Sequence, residues 1–235
     1  MAKLPPYTLR DFSRGRYSKN AVSNFLVPEN SVSNSVNINF DEIVGSAKVR
    51  PGTVKLGDTV QASGTPLGLY NFIGTAGSPN LILAVFSDGA DGKMYFYDTA
   101  WNSASDLQTM SPSAKNRFAT LGGSAFVTNT TDGMSDSTDG DNWGTSNSIA
   151  TYKPGVISRY KARMLAAGDP TYPDRVFFSS IIDPTASPFI TWNVDPTTGD
   201  WIDVNPDDGG YITGFSETST FCLIFKNTGM YRLDA

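Results

Sequence analysis

The sequence predicts an all-β fold. After an opening of about forty residues with no helical period, short alternating or apolar runs separated by turn residues recur along the chain. Between them stand Gly 22 and Pro 14 among many Ser, Thr, Asn and Asp, the residues that punctuate short strands. With 235 residues and 39% hydrophobic content, there is material for one large all-β domain or two small ones, with a substantial buried core.

The chain opens unlike an ordinary domain. Asp11 to Lys55 runs without any helical period and closes on Val49-Arg50-Pro51-Gly52. The sequence predicts an extended N-terminal arm with the first strands over residues 1–60, whose partners lie on the far side of the fold or on a neighbouring subunit. Arg10, Arg14, Arg16 and Lys19 make the arm locally basic. Such a run reads either as a solvated stretch or as a dock for an acidic partner or for DNA passing nearby.

Residues 61–235 read as a chain of short strands. Leu69-Tyr70-Asn71-Phe72-Ile73 leads into a Gly/Pro breaker, then Leu81 to Phe86, which is apolar at every position and so predicts a strand buried on both faces. Asp88-Gly89 and Asp91-Gly92 are hairpin signals, Met94 to Tyr97 is the next strand, and an outer strand is expected around Asp106-Leu107-Gln108. The cycle repeats with Arg117 to Leu121, Gly122-Gly123, Ser124 to Thr128, a turn at Asp132-Gly133, and Trp143 as its close. It repeats again with Val156 to Tyr160, Ala162 to Gly168, Arg175 to Ser180, Ile190 to Val194 and Trp201 to Val204. A last cycle runs through Gly210 to Phe215, Phe221 to Phe225 and Met230 to Leu233.

A period of about 35 to 50 residues is that of four-stranded antiparallel blades. The expectation is therefore a β-propeller of about four blades, the last stopping after its third strand, so that either the N-terminal arm supplies the missing strand or, as is favoured, the ring is incomplete and the sequence is part of a longer chain. A β-sandwich fits many short strands as well, and the recurring order favours blades over it.

Composition narrows the function. Histidine is absent, which removes the commonest general base and zinc ligand. The single cysteine, Cys222, lies inside Phe221-Cys222-Leu223-Ile224-Phe225 and reads as a buried hydrophobe. A disulfide framework is excluded. Net charge is −5, so no overall basic footprint for nucleic acid exists. No run reaches the ~18 apolar residues of a membrane span, and Met-Ala-Lys-Leu-Pro-Pro has no signal-peptide core, so a product made in a cytoplasm is expected. Charged residues make up only 17%, which suggests surface covered by other subunits.

Three features carry candidate chemistry. Ser137-Thr138-Asp139-Gly140-Asp141-Asn142-Trp143 resembles a shortened Asp-box, a structural hairpin of many propellers, with one residue fewer and no Thr before the Trp. Asp132, Asp136, Asp139 and Asp141, and separately Asp203, Asp207 and Asp208, read either as turn formers, as calcium ligands or as a glycosidase pair. The aromatics Tyr95, Phe96, Tyr97, Phe177, Phe178, Trp192, Trp201 and Tyr211 read as packing between blades or as a sugar or base platform. Gly122-Gly123 and Gly209-Gly210 read as bulges or tight strand entries rather than phosphate loops.

An opening Asp-Phe-x-x-Gly, then V-P-E-N-S-V, S-V-N-I-N-F-D-E-I-V-G and V-R-P-G-T, resembles the start of tailed-bacteriophage virion proteins of the nozzle, tail-tube or neck type. R-M-L-A-A-G-D-P-T-Y-P-D-R-V-F-F-S-S and G-G-Y-I-T-G-F-S-E-T-S-T-F-C-L-I-F-K resemble later parts of the same family. The chain departs from it at Arg14-Gly15, where a glycine pair is usual, and at Pro51 between Arg50 and Gly52.

The resemblance implies a virion structural component in the tail or neck, assembling around the DNA channel as a homo-oligomeric ring, six-fold or twelve-fold. Its partners would be other phage tail or neck proteins, with transient DNA contact during ejection. It implies no catalytic residues and no cofactor. Arg10, Asp11, Phe12, Arg14 and Arg16 are the expected intersubunit contacts. The alternatives are a receptor-binding, glycan-binding or carboxylate-based glycan-hydrolysing propeller.

Overall fold

The computed structural model describes residues 38–39, 48–49, 56–57, 64–74, 80–105 and 109–234. The chain divides into two compact units, Met1–Leu56 and Gly57–Ala235. In the first, β1 (Ile38–Asn39) and β2 (Lys48–Val49) pair antiparallel, Ile38 opposite Val49.

The second unit is all-β, built as four antiparallel sheets that follow one another along the chain like blades. The first sheet holds β3 (Thr65–Ile73), β4 (Asn80–Ser87), β5 (Gly92–Tyr97) and β6 (Trp101–Ser103). The second holds β7 (Arg117–Leu121), β8 (Ser124–Asn129) and β9 (Gly133–Ser137). The third holds β10 (Val156–Tyr160), β11 (Arg163–Ala167), β12 (Arg175–Phe178) and β13 (Trp201–Asp203). The fourth holds β14 (Ile212–Glu217), β15 (Phe221–Lys226) and β16 (Met230–Asp234). Within each sheet spatial order equals chain order, so every connection is a local antiparallel return. The opening strands β3, β7, β10 and β14 neighbour one another in turn, which sets the sheets around a shared inner row.

The second strands of the middle sheets, β8 and β11, are covered by a neighbouring sheet on both sides, and those of the outer sheets, β4 and β15, on one. On β4, Leu81, Leu83 and Val85 pack with Ala125 and Val127 of β8 and with Trp143. On β8, Phe126 points the other way, into a cluster with Met164 and Ala166 of β11 and with Phe177. On β11, Leu165 and Ala167 then pack with Cys222 and Ile224 of β15. Strand alternation sends successive side chains to opposite neighbours, so one run supplies two interfaces.

Turn chemistry fixes the registers. Gly122 and Gly123 both have positive φ, 62° and 84°, and close the β7–β8 hairpin between the paired Leu121 and Ser124. That is a two-residue hairpin turn of the primed type, which corrects the expectation of a bulge or strand entry there. In the β4–β5 loop the Asp88 carboxylate accepts from the Ala90 and Asp91 amides and pairs with Lys93 at 2.7 Å.

Two predicted elements differ. Ile190–Val194 is not a strand; it touches the third sheet by one bridge, Ser179 to Trp192. Ile190 is instead buried in the cluster between the second and third sheets, and the Trp192 indole donates to the Asn147 carbonyl. Plugging the core competes here with pairing, and Pro188 and Pro196 remove ladder donors on either side. The fourth strand of the first sheet is Trp101–Ser103, while Asp106-Leu107-Gln108 lies outside the described residues.

Candidate functional site

The carboxylates singled out in the sequence hold turns and sheet edges. Asp139 accepts from the amides of Asp141 and Asn142, both at 2.9 Å, and from the Asn142 side chain at 2.7 Å. The Ser137 hydroxyl joins it at 3.0 Å. Burial pushes the Asp139 carboxyl up, but these donors together outweigh it and hold the group below the ordinary range. The Trp143 indole donates to the Gly140 carbonyl at 2.9 Å, and its ring fills the cluster between the first and second sheets. This is the Asp-box arrangement that the sequence resembles, serving as a staple between blades.

Asp136 is buried on β9 and accepts from the side chain and amide of Asn147 at 2.7 and 3.2 Å. Burial is the main cause of its raised pKa, and the Asn147 bonds oppose it. Asn147 also accepts from the Phe189 amide, so it ties the second sheet to the long loop of the third. Sequence reading missed Asn147, since a lone Asn in an Asn/Ser/Thr loop carries no signal of its role. Asp132 and Asp141 are taken up by the Ser111 and Ser105 amides respectively.

The second acidic group divides. Asp203 receives a two-pronged contact from Arg175, at 2.7 and 3.0 Å, whose guanidinium lies between the rings of Tyr172 and Trp201. The bond from Asp203 is the main reason the Arg175 pKa is raised further. Asp208 takes the ammonium of Lys226 at 2.6 Å and hydroxyls of Thr228 and Tyr231. Lys226 leads the causes that hold the Asp208 carboxyl well below the usual range. Among the described residues, no group of three or more His, Cys, Asp or Glu side chains is placed to hold a metal ion.

Two further surfaces stand out among the described residues. One is a cavity of about 480 Å³ where the inner row of strands converges. It is bordered by Tyr70 and Asn71 of β3, Phe118 and Thr120 of β7, and an Arg159–Glu217 pair at 3.4 Å joining β10 to β14. The Tyr70 and Phe118 rings stack at 5.4 Å, and the Tyr70 hydroxyl bonds Thr120 at 2.8 Å. Both charges of the pair are largely in water, so it orients the rim without contributing much stability.

The other consists of the two end faces of the row of sheets. On the fourth sheet, Cys222 and Ile224 point toward the third sheet, so Phe221, Leu223 and Phe225 point away, beside the exposed Met230. On the first sheet, Leu81, Leu83 and Val85 point toward the second, which leaves Leu69, Ile82 and Phe86 on the opposite side. Leu69 is 72% exposed and Ile73 64% exposed. The expected contact residues Arg10, Asp11, Phe12, Arg14 and Arg16 lie outside the described residues. Cys222 is buried, and burial raises its thiol pKa.

No family model matches the chain. No curated protein matches it either. Among solved structures it is similar to the crystal structure of the computationally designed Ika4 protein, at a TM-score of 0.51 and 8% identity, over 78% of this chain and 99% of that one. That likeness is one of fold alone. A mutant of NanB sialidase from Streptococcus pneumoniae aligns at a TM-score of 0.40 and 15% identity, over 71% of this chain and 31% of that one, too low to bear on function. Among the described residues, no helix is long and apolar enough to cross a membrane.

Proposed function

We propose that this chain is a structural component of a tailed-bacteriophage virion, in the tail or neck, and that it works as a rigid block of blades within an oligomeric ring. The observation that supports it most is the row of sheets with exposed apolar positions at each end. The exposed Met230 beside Leu223 and Phe225 at one end, and the exposed Leu69 at the other, are apolar positions on which a neighbouring subunit would pack, with Arg232 and Asp234 sharing the first of these faces. The sequence resemblance supplies the virion setting, and the residue-poor charge of the surface accords with it.

In this reading the protein performs no reaction. Its carboxylates brace turns, its sheets hold shape, and the N-terminal arm with Arg10, Asp11, Phe12, Arg14 and Arg16 clasps a neighbouring subunit. Immunogold electron microscopy of phage particles from the producing lysate tests the role. Label on the tail or neck is expected, and particles free of label would overturn it. Deleting residues 1–20 should lower the assembled mass by mass photometry; an unchanged mass would remove the arm from the account.

The inner cavity favours one second reading, a glycan-binding module. Its stacked Tyr70–Phe118 pair and polar rim of Asn71, Thr120, Arg159 and Glu217 are suited to a sugar. Glycan-array binding lost in Arg159→Ala would support that reading over the ring.

A further inference from the structure

The chain has four tryptophans, and the fold engages three of them fully. Trp143 is buried between the first and second sheets, Trp101 packs edge-on to Tyr97 at 5.3 Å, and Trp201 carries the Arg175 guanidinium at 3.4 Å. Trp192 differs. It is half-buried, and among the described residues no aromatic ring or cation stacks on it. Its indole N–H donates to the Asn147 carbonyl at 2.9 Å. Asn147 is held in turn by Asp136 and by the amides of Phe189 and Ile190. One edge of the ring is therefore fixed by a buried network, while its body lines a cleft of about 290 Å³.

The cleft lies between the loop after β9 and the loop after β12. Pro188 and Ile190 add apolar surface beside Trp192, and Ser146, Thr151 and Thr191 add hydroxyls from exposed positions. Among the described residues, no charged side chain lines it. The segment that carries Trp192 has the composition of a strand but meets the third sheet at a single bridge, which leaves the ring standing in the cleft wall. Departures of this kind from local sequence preference concentrate at functional sites.

A sugar ring matches this chemistry. One face of a pyranose presents C–H groups that lie flat on an indole. Its edge presents hydroxyls that donate and accept, as those of Ser and Thr do. A carboxylated or phosphorylated sugar would bring a charge with no counter-charge to meet it, at a desolvation cost. The volume is at the small end for ligand pockets and suits one ring. We propose that the Trp192 cleft binds a neutral pyranose. The site shares no residue with the inner cavity and does not depend on the chain's place in a virion.

The test titrates the full chain with glucose, galactose, mannose and N-acetylglucosamine, and with glucuronate as the charged comparison. The Trp192 indole N–H is followed by proton–nitrogen NMR. At least one neutral sugar should shift that signal saturably, with a Kd on the order of 1 mM, and glucuronate should bind at least about tenfold more weakly. Thr191→Arg fills the cleft from an exposed position whose bonds to Ser180, at 3.0 and 2.7 Å, use the Thr191 main chain. It should therefore fold, with the other three indole signals in place. Thr151→Arg fills it from the opposite loop. Each should weaken binding at least about tenfold, and Arg159→Ala in the inner cavity should leave it unchanged. No shift with any of the four neutral sugars, a shift that survives either filled variant, equal binding of glucuronate, or binding lost in Arg159→Ala would each overturn the proposal. Saturable binding by a chain that immunogold fails to find on the particle would remove the virion role and leave this site standing.

Discussion

Replacing Lys226 with Met tests how the fourth sheet is fastened to the third. The lysine ends β15, and its side chain is 0% exposed. Its ammonium donates to the carbonyls of Val204 at 2.8 Å and Asn205 at 3.0 Å, and to Asp208 at 2.6 Å. All three acceptors belong to the segment leaving the third sheet, so a single side chain spans the junction. Methionine keeps most of the length but donates nothing, which leaves the Val204 and Asn205 carbonyls without this donor and the Asp208 carboxylate without its cation. Removing one partner of a buried charge pair costs roughly 3–5 kcal/mol. Asp208 keeps the Gly210 amide and the Thr228 hydroxyl, so the expected loss from Lys226→Met lies at the lower end, about 3 kcal/mol. For a domain of this size that is a fall in Tm of roughly 6–12 °C. Urea unfolding followed by tryptophan fluorescence should show the midpoint move with the slope unchanged. A loss under about 1 kcal/mol, the size of an exposed ion pair, would refute the reasoning.

Other expectations follow from the same geometry. Asp139→Asn keeps an acceptor for the Asp141 and Asn142 amides but loses the charge, and should cost about 1 kcal/mol at neutral pH. Asp139 has a depressed folded pKa, so its contribution is present above the unfolded carboxyl value near 3.9 and is lost as pH falls through the folded one. The gap between wild type and Asp139→Asn in denaturant titrations should therefore close in acid, and a gap constant down to pH 2 would contradict it. Asp136 has the opposite sign: its folded pKa is raised, chiefly by burial, so ionisation costs stability above that value and acid relieves the cost. Carboxyl titration by NMR should place Asp136 above the ordinary aspartate range and Asp139 below it. Phe126→Ala, at a fully buried ring packed edge-on to Phe189 at 6.1 Å, should cost roughly 3–5 kcal/mol in urea unfolding.

Much of this architecture was legible from apolar runs because each second strand packs against a neighbouring sheet, and β8 and β11 against two. Leu81 to Phe86 and Phe221 to Phe225 have no polar face, although β4 and β15 belong to the outer sheets, where a neighbouring sheet packs on one side. The hairpin text around Asp139 was legible for a similar reason, since a side chain that bonds its own turn leaves a local motif. What escaped was non-local. Gly133–Ser137 is polar enough to read as a turn, yet it pairs with the wholly buried β8, and its Asp136 is supported by Asn147 from a later loop. Ile190 and Trp192 have the composition of a strand and serve as plugs. Lys226 gives no hint of burial, because its acceptors come from the preceding sheet's exit rather than from its own strand. The inner cavity likewise depends on four strands far apart in sequence, so no window of text contains it.

Because every sheet leans only on the ones before and after it, cohesion in this molecule is shared out between neighbours rather than pooled at one centre. The middle pair are held from two sides and the outer pair from one. Amide exchange should accordingly be slowest in β8 and β11 and quicken toward β3 and β16, so that unravelling starts at the flanks and the heart of the row lets go last.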